Sequence, residues 1–174
     1  MKVPFVMTVI GPDRPGLVDS VSTLIAEYGG NWLESRMCHL GGQFAGLLQI
    51  EIDEESAESL KAALRELGGD DLEIVAQKSA LASAPDCVEV VQVEIVGQDR
   101  PGIVRSIANA FSNRDVNVEE LSTQCFSAPM SGERLFEAKA KICIPEACET
   151  DALREELEAI ATDLQVDFSF ESLS

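Results

Sequence analysis

The sequence predicts an α+β protein made of two successive βαββαβ units. The first observation is a turn motif that occurs twice, as GPDRPGLV at 11–18 and as GQDRPGIV at 97–104. The second is that each copy follows an apolar run and precedes apolar residues at helical spacing, which indicates a strand followed by a helix. The third is that the same elements follow both copies. We therefore expect two ferredoxin-like domains that pack as an intramolecular pair.

The first domain is predicted to cover residues 1–78. Its opening apolar run is typical of a central strand. Proline is favoured in the first turn of a helix, so Pro15 is expected to open one, with Asp13 or Arg14 as the capping residue. Glycine pairs then mark a helix end and a hairpin. The predicted elements are a strand at 3–10, a helix at 15–28, strands at 31–40 and 43–53, a helix ending at 67 and a strand at 72–76.

The second domain is predicted to cover residues 88–174, after a linker at 79–87 that is rich in small residues and contains a proline. Its elements repeat those of the first domain in the same order. The two copies diverge at the first hairpin, where the Gly41-Gly42 turn is replaced by the longer segment 126–132. That segment is either a tolerated insertion or a hairpin tip that reaches a partner.

Each turn has features that suit a free amino acid. A helix N-terminus presents unpaired N–H groups and a partial positive charge, which favour a carboxylate. Gly16 and Gly102 have no Cβ, so a small ligand can approach the backbone. Asn31 and Asn117 begin the next strands, and we expect them at the same end of the sheet as the turns. Their amides can donate to a carboxylate and accept from an ammonium group.

A purely structural interpretation of the same residues stays open. Asp13 and Asp99 can cap the helices, Arg14 and Arg100 can be solvated, and the asparagines can bond to the backbone at the strand starts. An internal duplication would copy such structural residues as readily as ligand-binding ones.

The composition excludes several classes of function. The formal net charge is −18, with 31 acidic against 13 basic residues, and no basic cluster occurs. Direct nucleic-acid binding is therefore not expected, and neither is binding to an acidic membrane surface. The five cysteines form no Cys-x-x-Cys motif, and we see no signal peptide, so we expect reduced thiols and a cytoplasmic protein.

The sequence contains no recognisable catalytic set. His39 is the single histidine and lies on a predicted strand without cysteine or histidine ligands nearby, so neither a metal site nor a cofactor is expected. A non-enzymatic binding protein is the favoured interpretation. The alternatives are an interaction module without a ligand and an acylphosphatase-like enzyme that uses Arg14 or Arg100 to hold an anion.

The doubled motif, followed by Gly-Asn in one copy and Val-Asn in the other, resembles ACT domains, which are small-molecule regulatory modules of amino-acid metabolism. A chain of two such domains resembles the glycine cleavage system transcriptional repressor family. The resemblance implies a repressor that senses a small amino acid, with glycine or a serine-like ligand expected, and that acts by binding a transcription activator. It also allows a homodimer, because ACT domains commonly pair side by side around their ligand.

The resemblance also implies which residues bind the ligand. They lie on the two turns and at the two strand starts: Asp13, Gly16, Asn31, Asp99, Gly102 and Asn117. ACT domains that bind amino acids often have asparagine or histidine where this sequence has aspartate. A carboxylate at that position repels the carboxylate of the ligand and attracts its ammonium group.

Overall fold

The computed structural model describes residues 1–69, 71–79, 87–128 and 132–173. The chain divides into two compact units, Met1–Ala82 and Ser83–Ser174, and the elements of each follow the order βαββαβ. The predicted α+β fold is therefore confirmed. Most of the predicted linker, at 80–86, and the tip of the long hairpin, at 129–131, lie outside the described residues.

The first unit is a four-stranded antiparallel sheet with two helices. Its strand order is β2-β3-β1-β4, which places the first strand in the interior of the sheet, as its apolar sequence predicts. The elements are β1 (Lys2–Pro12), α1 (Leu17–Glu27), β2 (Asn31–Leu40), β3 (Gln43–Asp53), α2 (Glu54–Gly68) and β4 (Glu73–Lys78).

The second unit repeats this arrangement with the strand order β6-β7-β5-β8. All described strand pairs in both sheets are antiparallel. The elements are β5 (Cys87–Gln98), α3 (Ile103–Ser112), β6 (Asn117–Ser127), β7 (Arg134–Pro145), α4 (Thr150–Leu164) and β8 (Val166–Ser172).

One face of each sheet carries the helices and the core. In the first unit, alternate residues of β1, from Val3 to Val9, are buried together with the apolar stripes of α1 and α2. The same alternation occurs in β5, where Val91, Val93 and Ile95 pack against α3 and α4. This is expected, because successive side chains of a strand point to opposite faces of its sheet.

The first glycine of each turn motif is required by close packing. A Cβ on Gly11 would lie 2.6 Å from the carbonyl oxygen of Asp71 and 3.1 Å from the Cα of Leu72. A Cβ on Gly97 would lie 2.8 Å from the Cβ of Val166 and 2.9 Å from its Cα. Because these glycines have no Cβ, the end of the first strand can pack closely against the residues at the start of the last strand of the unit.

The expectation that all five cysteines are reduced is wrong for two of them. Cys87 and Cys143 form a disulfide between β5 and β7, with a Cα–Cα distance of 5.4 Å. They are 56 residues apart in the sequence, so only the pairing of the two strands brings them together. Cys38 and Cys125 are exposed free thiols, and Cys148 is a half-buried one.

Cys148 is expected to be alkylated more slowly than Cys125 near neutral pH. Burial is the main cause that raises the pKa of the Cys148 thiol, and the negative charges of Glu149 and Glu156 add to it, against the opposite effect of Arg114. A raised pKa leaves less of the reactive thiolate at a given pH, so alkylation of Cys148 should increase only at pH values above the ordinary thiol range. Mass spectrometry of timed iodoacetamide labelling at several pH values checks this, and equal rates at both thiols would contradict it.

Within the described residues, no helix has both the length and the apolar character needed to cross a bilayer.

Candidate functional site

Both turns have the same local geometry immediately before their helices. Gly16 has a φ of 86° and Gly102 has a φ of 99°, so both adopt the left-handed conformation that other residues adopt only at a cost of about 1–2 kcal/mol. The first intrahelical bonds run from the Ser20 N–H to the Gly16 carbonyl and from the Ser106 N–H to the Gly102 carbonyl, each at 2.9 Å. The three N–H groups that precede each serine have no acceptor within an ideal helix.

The predicted helix caps are wrong. The helices begin at Leu17 and Ile103, two residues later than the prolines predict, and the capping positions are Gly16 and Gly102. Among the described residues, no side chain hydrogen bonds to either helix start as a cap. A Cβ added at either glycine would meet none of the described atoms within 4 Å. Each helix therefore begins beside open space that a small ligand can enter.

In the first unit, Asp13 contacts the hairpin between β2 and β3. Its backbone N–H donates to the carbonyl of Gly42 at 3.1 Å. Its carboxylate Oδ2 lies 3.8 Å from Nε2 of His39, near the end of β2. The distance exceeds that of a hydrogen bond and both side chains are about half exposed, so the contact is weak and leaves the Asp13 carboxylate accessible.

In the second unit, Asp99 makes the equivalent contacts with a different partner. Its backbone N–H donates to the carbonyl of Arg134 at 3.1 Å, and its Oδ2 lies 3.1 Å from Nε of the same arginine. Arginine stays charged at all physiological pH values, so the charge of Asp99 is compensated. The neighbouring Arg100 donates from Nη2 to Oε1 of Gln165 at 3.0 Å and to Oε1 of Gln98 at 3.2 Å.

His39 and Arg134 therefore adjoin the candidate site, and the sequence analysis did not identify either residue as part of it. Both residues could have been found from the antiparallel pairing of the first and third strands. That pairing places the hairpin before the third strand beside the end of the first strand. Pro12 pairs with Gln43 in one unit, and Gln98 pairs with Leu135 in the other.

The prediction that Asn31 and Asn117 share the end of the sheet with the turns is wrong. Asn31 pairs with Glu51, which also pairs with Pro4 near the beginning of β1. β1 and β2 are both antiparallel to β3 and hence parallel to each other, so they begin at the same end of the sheet and the turn lies at the other. The distance along β3 from Gln43 to Glu51 is roughly 27 Å at the usual rise per residue.

The same separation holds in the second unit. Asn117 pairs with Cys143, which also pairs with Val90, whereas the turn follows Gln98 at the opposite end of β5. The turn and the asparagine of one unit therefore cannot contact the same small molecule.

The described structure also contains several recesses. One is an apolar cavity of about 40 Å³ between α3 and the second sheet, lined by residues such as Val104, Phe111 and Leu121, and it offers no polar group to a zwitterion. Another, of about 510 Å³, lies on the first unit, where Gly11 at the beginning of the turn motif borders it together with Gln43 and Arg65. The open helix starts differ from the apolar cavity in presenting N–H groups that can bind a carboxylate.

The geometry and the comparisons with known proteins together define the class of protein. A family model of the ACT domain matches residues 4–75. The UPF0237 protein MK1213 of Methanopyrus kandleri is 35% identical to this chain over 71 residues, which are 37% of this chain and 79% of that protein. The chain belongs to the ACT-domain family.

A second similarity extends over nearly the whole chain. The glycine cleavage system transcriptional repressor of Escherichia coli is 24% identical over 162 residues, which cover 91% of this chain and 84% of that protein. A crystal structure of an unknown protein from Galdieria sulphuraria matches with a TM-score of 0.89 at 24% identity, with all of both chains covered. That structural likeness confirms the fold.

Proposed function

We propose that this protein is a non-enzymatic regulator that senses a small amino acid, with glycine as the expected ligand. The observation that carries the proposal is the open helix start beside a left-handed glycine, which occurs in both units with an aspartate three residues before the glycine. Membership of the ACT-domain family and the similarity to a transcriptional repressor support a regulatory role.

The proposed ligand is held by its two charged ends. Its carboxylate accepts hydrogen bonds from the first N–H groups of α1 or α3, where the helix dipole favours negative charge. Its ammonium group contacts the carboxylate of Asp13 or Asp99. Gly16 and Gly102 leave room for the ligand, since a side chain at either position would occupy the open space beside the helix start.

The two turns are not equivalent in this proposal. Arg134 lies 3.1 Å from the Asp99 carboxylate and competes with an ammonium group for it, whereas His39 lies 3.8 Å from the Asp13 carboxylate and is a weaker competitor. We therefore expect the first unit to bind the ligand more tightly. Neither asparagine reaches the turn of its own unit, so in this proposal a homodimer can supply the turn that Asn31 or Asn117 joins.

The regulatory output is proposed to be the binding of a transcription activator protein in the cytoplasm. The net charge of −18 opposes direct contact with DNA, so an effect on transcription requires a protein partner. The E. coli protein to which this chain is similar is described as a transcriptional repressor.

A calorimetric titration of the purified chain tests the ligand half of the proposal. Glycine, alanine and serine are expected to bind with decreasing affinity as the side chain grows, and leucine is expected not to bind. The free amino acids are to be compared with glycine amide and with acetate, each of which lacks one of the two required charges. Absence of heat with all three small amino acids would contradict the proposal.

A second candidate function is protein interaction without a ligand. Every described residue of β6 is exposed, including Val118, Leu121 and Phe126, and exposed apolar side chains on an outer strand suit a protein partner. In that case the two turns have only a structural role and bind no ligand. Unchanged partner binding by a variant that no longer binds glycine would favour this candidate.

A further inference from the structure

Three potential metal ligands converge on the second sheet, away from the turns. The sulfur atoms of Cys87 and Cys143 and a carboxylate oxygen of Glu119 all lie within 4.8 Å of one another. The three residues come from the neighbouring strands β5, β7 and β6. Among the described residues, no other group of three such side chains meets this criterion.

Two irregularities in the strands occur at this cluster. The register of β5 against β7 shifts between Cys87 and Glu89, and the register of β6 against β7 shifts between Val118 and Glu120. A bulge redirects the side chains beside it, and bulges are frequent next to functional sites. Here one bulge adjoins Cys87 and the other contains Glu119, so each bulge affects the direction of a side chain of the cluster.

The first unit shows that the fold does not require this cluster. Asn31 pairs with Glu51 where Asn117 pairs with Cys143, so a glutamate occupies the position equivalent to Cys143. The register of β2 shifts in the same way, between Trp32 and Glu34, and places Leu33 where the second unit has Glu119. Only the second unit combines the bulge with cysteine and glutamate.

The chemistry of the cluster depends on the oxidation state of the two sulfurs. In the structure they are joined as a disulfide, which binds no cation. When reduced, two thiolates and a carboxylate are a donor set that zinc prefers, and a water molecule can complete a tetrahedron. Ligand atoms around one zinc ion lie roughly 3.5 Å apart, so the observed spread requires only small side-chain movements.

The surroundings of the cluster suit a divalent cation. Cys143 is buried, whereas Cys87 and Glu119 are exposed, so an ion can reach the cluster from solvent. Nζ of Lys141 lies 3.0 Å from Oε2 of Glu119, which lets the lysine hold one carboxylate oxygen while the other binds the ion. The lysine and a divalent ion together match the three negative charges of the ligands.

We propose that the reduced protein binds one zinc ion through Cys87, Cys143 and Glu119, and that oxidation of the two thiolates expels it. In the oxidation, a low-molecular-weight disulfide accepts two electrons from the protein thiolates and two protons from the solvent, and leaves as two thiols. The two protein thiolates lose these electrons and form the Cys87–Cys143 bond, and the ion is released. The protein thus carries a redox-controlled metal site that is independent of the turns.

The test uses the full chain reduced with a phosphine, which itself contains no thiol, under anaerobic conditions. Zinc is offered in competition with a chromophoric chelator, and the reduced protein is expected to take up one equivalent. Cys87→Ser should abolish this uptake, and Glu119→Gln should weaken it roughly tenfold or more. Cys148→Ser removes a thiol outside the cluster and is expected to bind zinc like the wild type.

The absorption spectrum of the cobalt-substituted protein tests whether the cysteines bind the ion. Cobalt added to the reduced protein should give a thiolate charge-transfer band in the near ultraviolet, and Cys87→Ser should remove that band. Treatment with oxidised glutathione should release one equivalent of zinc from the wild type. The proposal is overturned if the reduced protein takes up no zinc, if Cys87→Ser binds it as tightly as the wild type, or if the oxidised protein retains it.

Discussion

Replacing Gly97 with alanine is expected to lower the free energy of unfolding of the second unit by about 3 kcal/mol, at the upper end of the usual cost of overpacking. The added Cβ would lie 2.9 Å from the Cα of Val166, and it would also collide with the Cγ1 of that valine. A backbone atom of β8 cannot move aside as a flexible side chain can, because β8 is paired to β5 along its length. Denaturant titration followed by circular dichroism measures the loss.

Two further variants make this prediction specific. Gly11→Ala is the equivalent change in the first unit and should destabilise that unit similarly, which the fluorescence of Trp32, the single tryptophan, can follow. Gly68→Ala is the matched control, because its added Cβ would meet only the Cβ of Leu72, at 3.8 Å. The packing argument is refuted if Gly97→Ala leaves the unfolding midpoint of the second unit at the wild-type value, or if Gly11→Ala and Gly68→Ala give equal midpoints for the first unit.

Replacing both Asp13 and Asp99 with alanine is expected to weaken glycine binding about 10- to 100-fold. A hydrogen bond to a charged group contributes about 1.5–3 kcal/mol, and each aspartate is proposed to bind the ammonium group of the ligand. The side chains are 46% and 32% exposed, so loss of their ion pairs should cost less than about 1 kcal/mol of stability. Isothermal titration calorimetry together with thermal denaturation separates the two effects.

A substitution of Arg134, the ion-pair partner of Asp99, tests the proposed competition for that carboxylate. Arg134→Gln removes the cation that competes for Asp99, so it should tighten binding in the second unit. Asp163→Ala, an exposed substitution near the end of α4, is the control and should change neither affinity nor stability. Glycine binding that is as tight in the double aspartate variant as in the wild type would rule out the proposed contact with the ammonium group.

The order and type of the elements could be predicted because each depends on local sequence. The continuous apolar run at 3–10 identifies an interior strand, and the helical spacing after each proline identifies a helix. The helix starts were misplaced because the prediction gave proline the first helical position. The left-handed conformation of Gly16 and Gly102 instead delays the helix by two residues.

The geometry of the candidate site could be predicted only in part, because most of it depends on contacts distant in the sequence. The repeated motif predicted the two turns and their glycines. The position of Asn31 depends on the direction of β2 relative to β1, and the contact of His39 with Asp13 depends on which hairpin lies beside the end of β1. The Cys87–Cys143 pair is likewise visible only once β5 and β7 are aligned.

The most direct test of the proposed sensor is a glycine titration of the isotope-labelled protein observed by two-dimensional amide NMR. The amide signals of Leu17 and Val18, and more weakly those of Ile103 and Val104, are expected to shift in a saturable manner, because these residues open the two helices. If calorimetry detects binding while these amides stay unmoved and others shift, the ligand lies elsewhere and the account of the turns as its binding site is wrong.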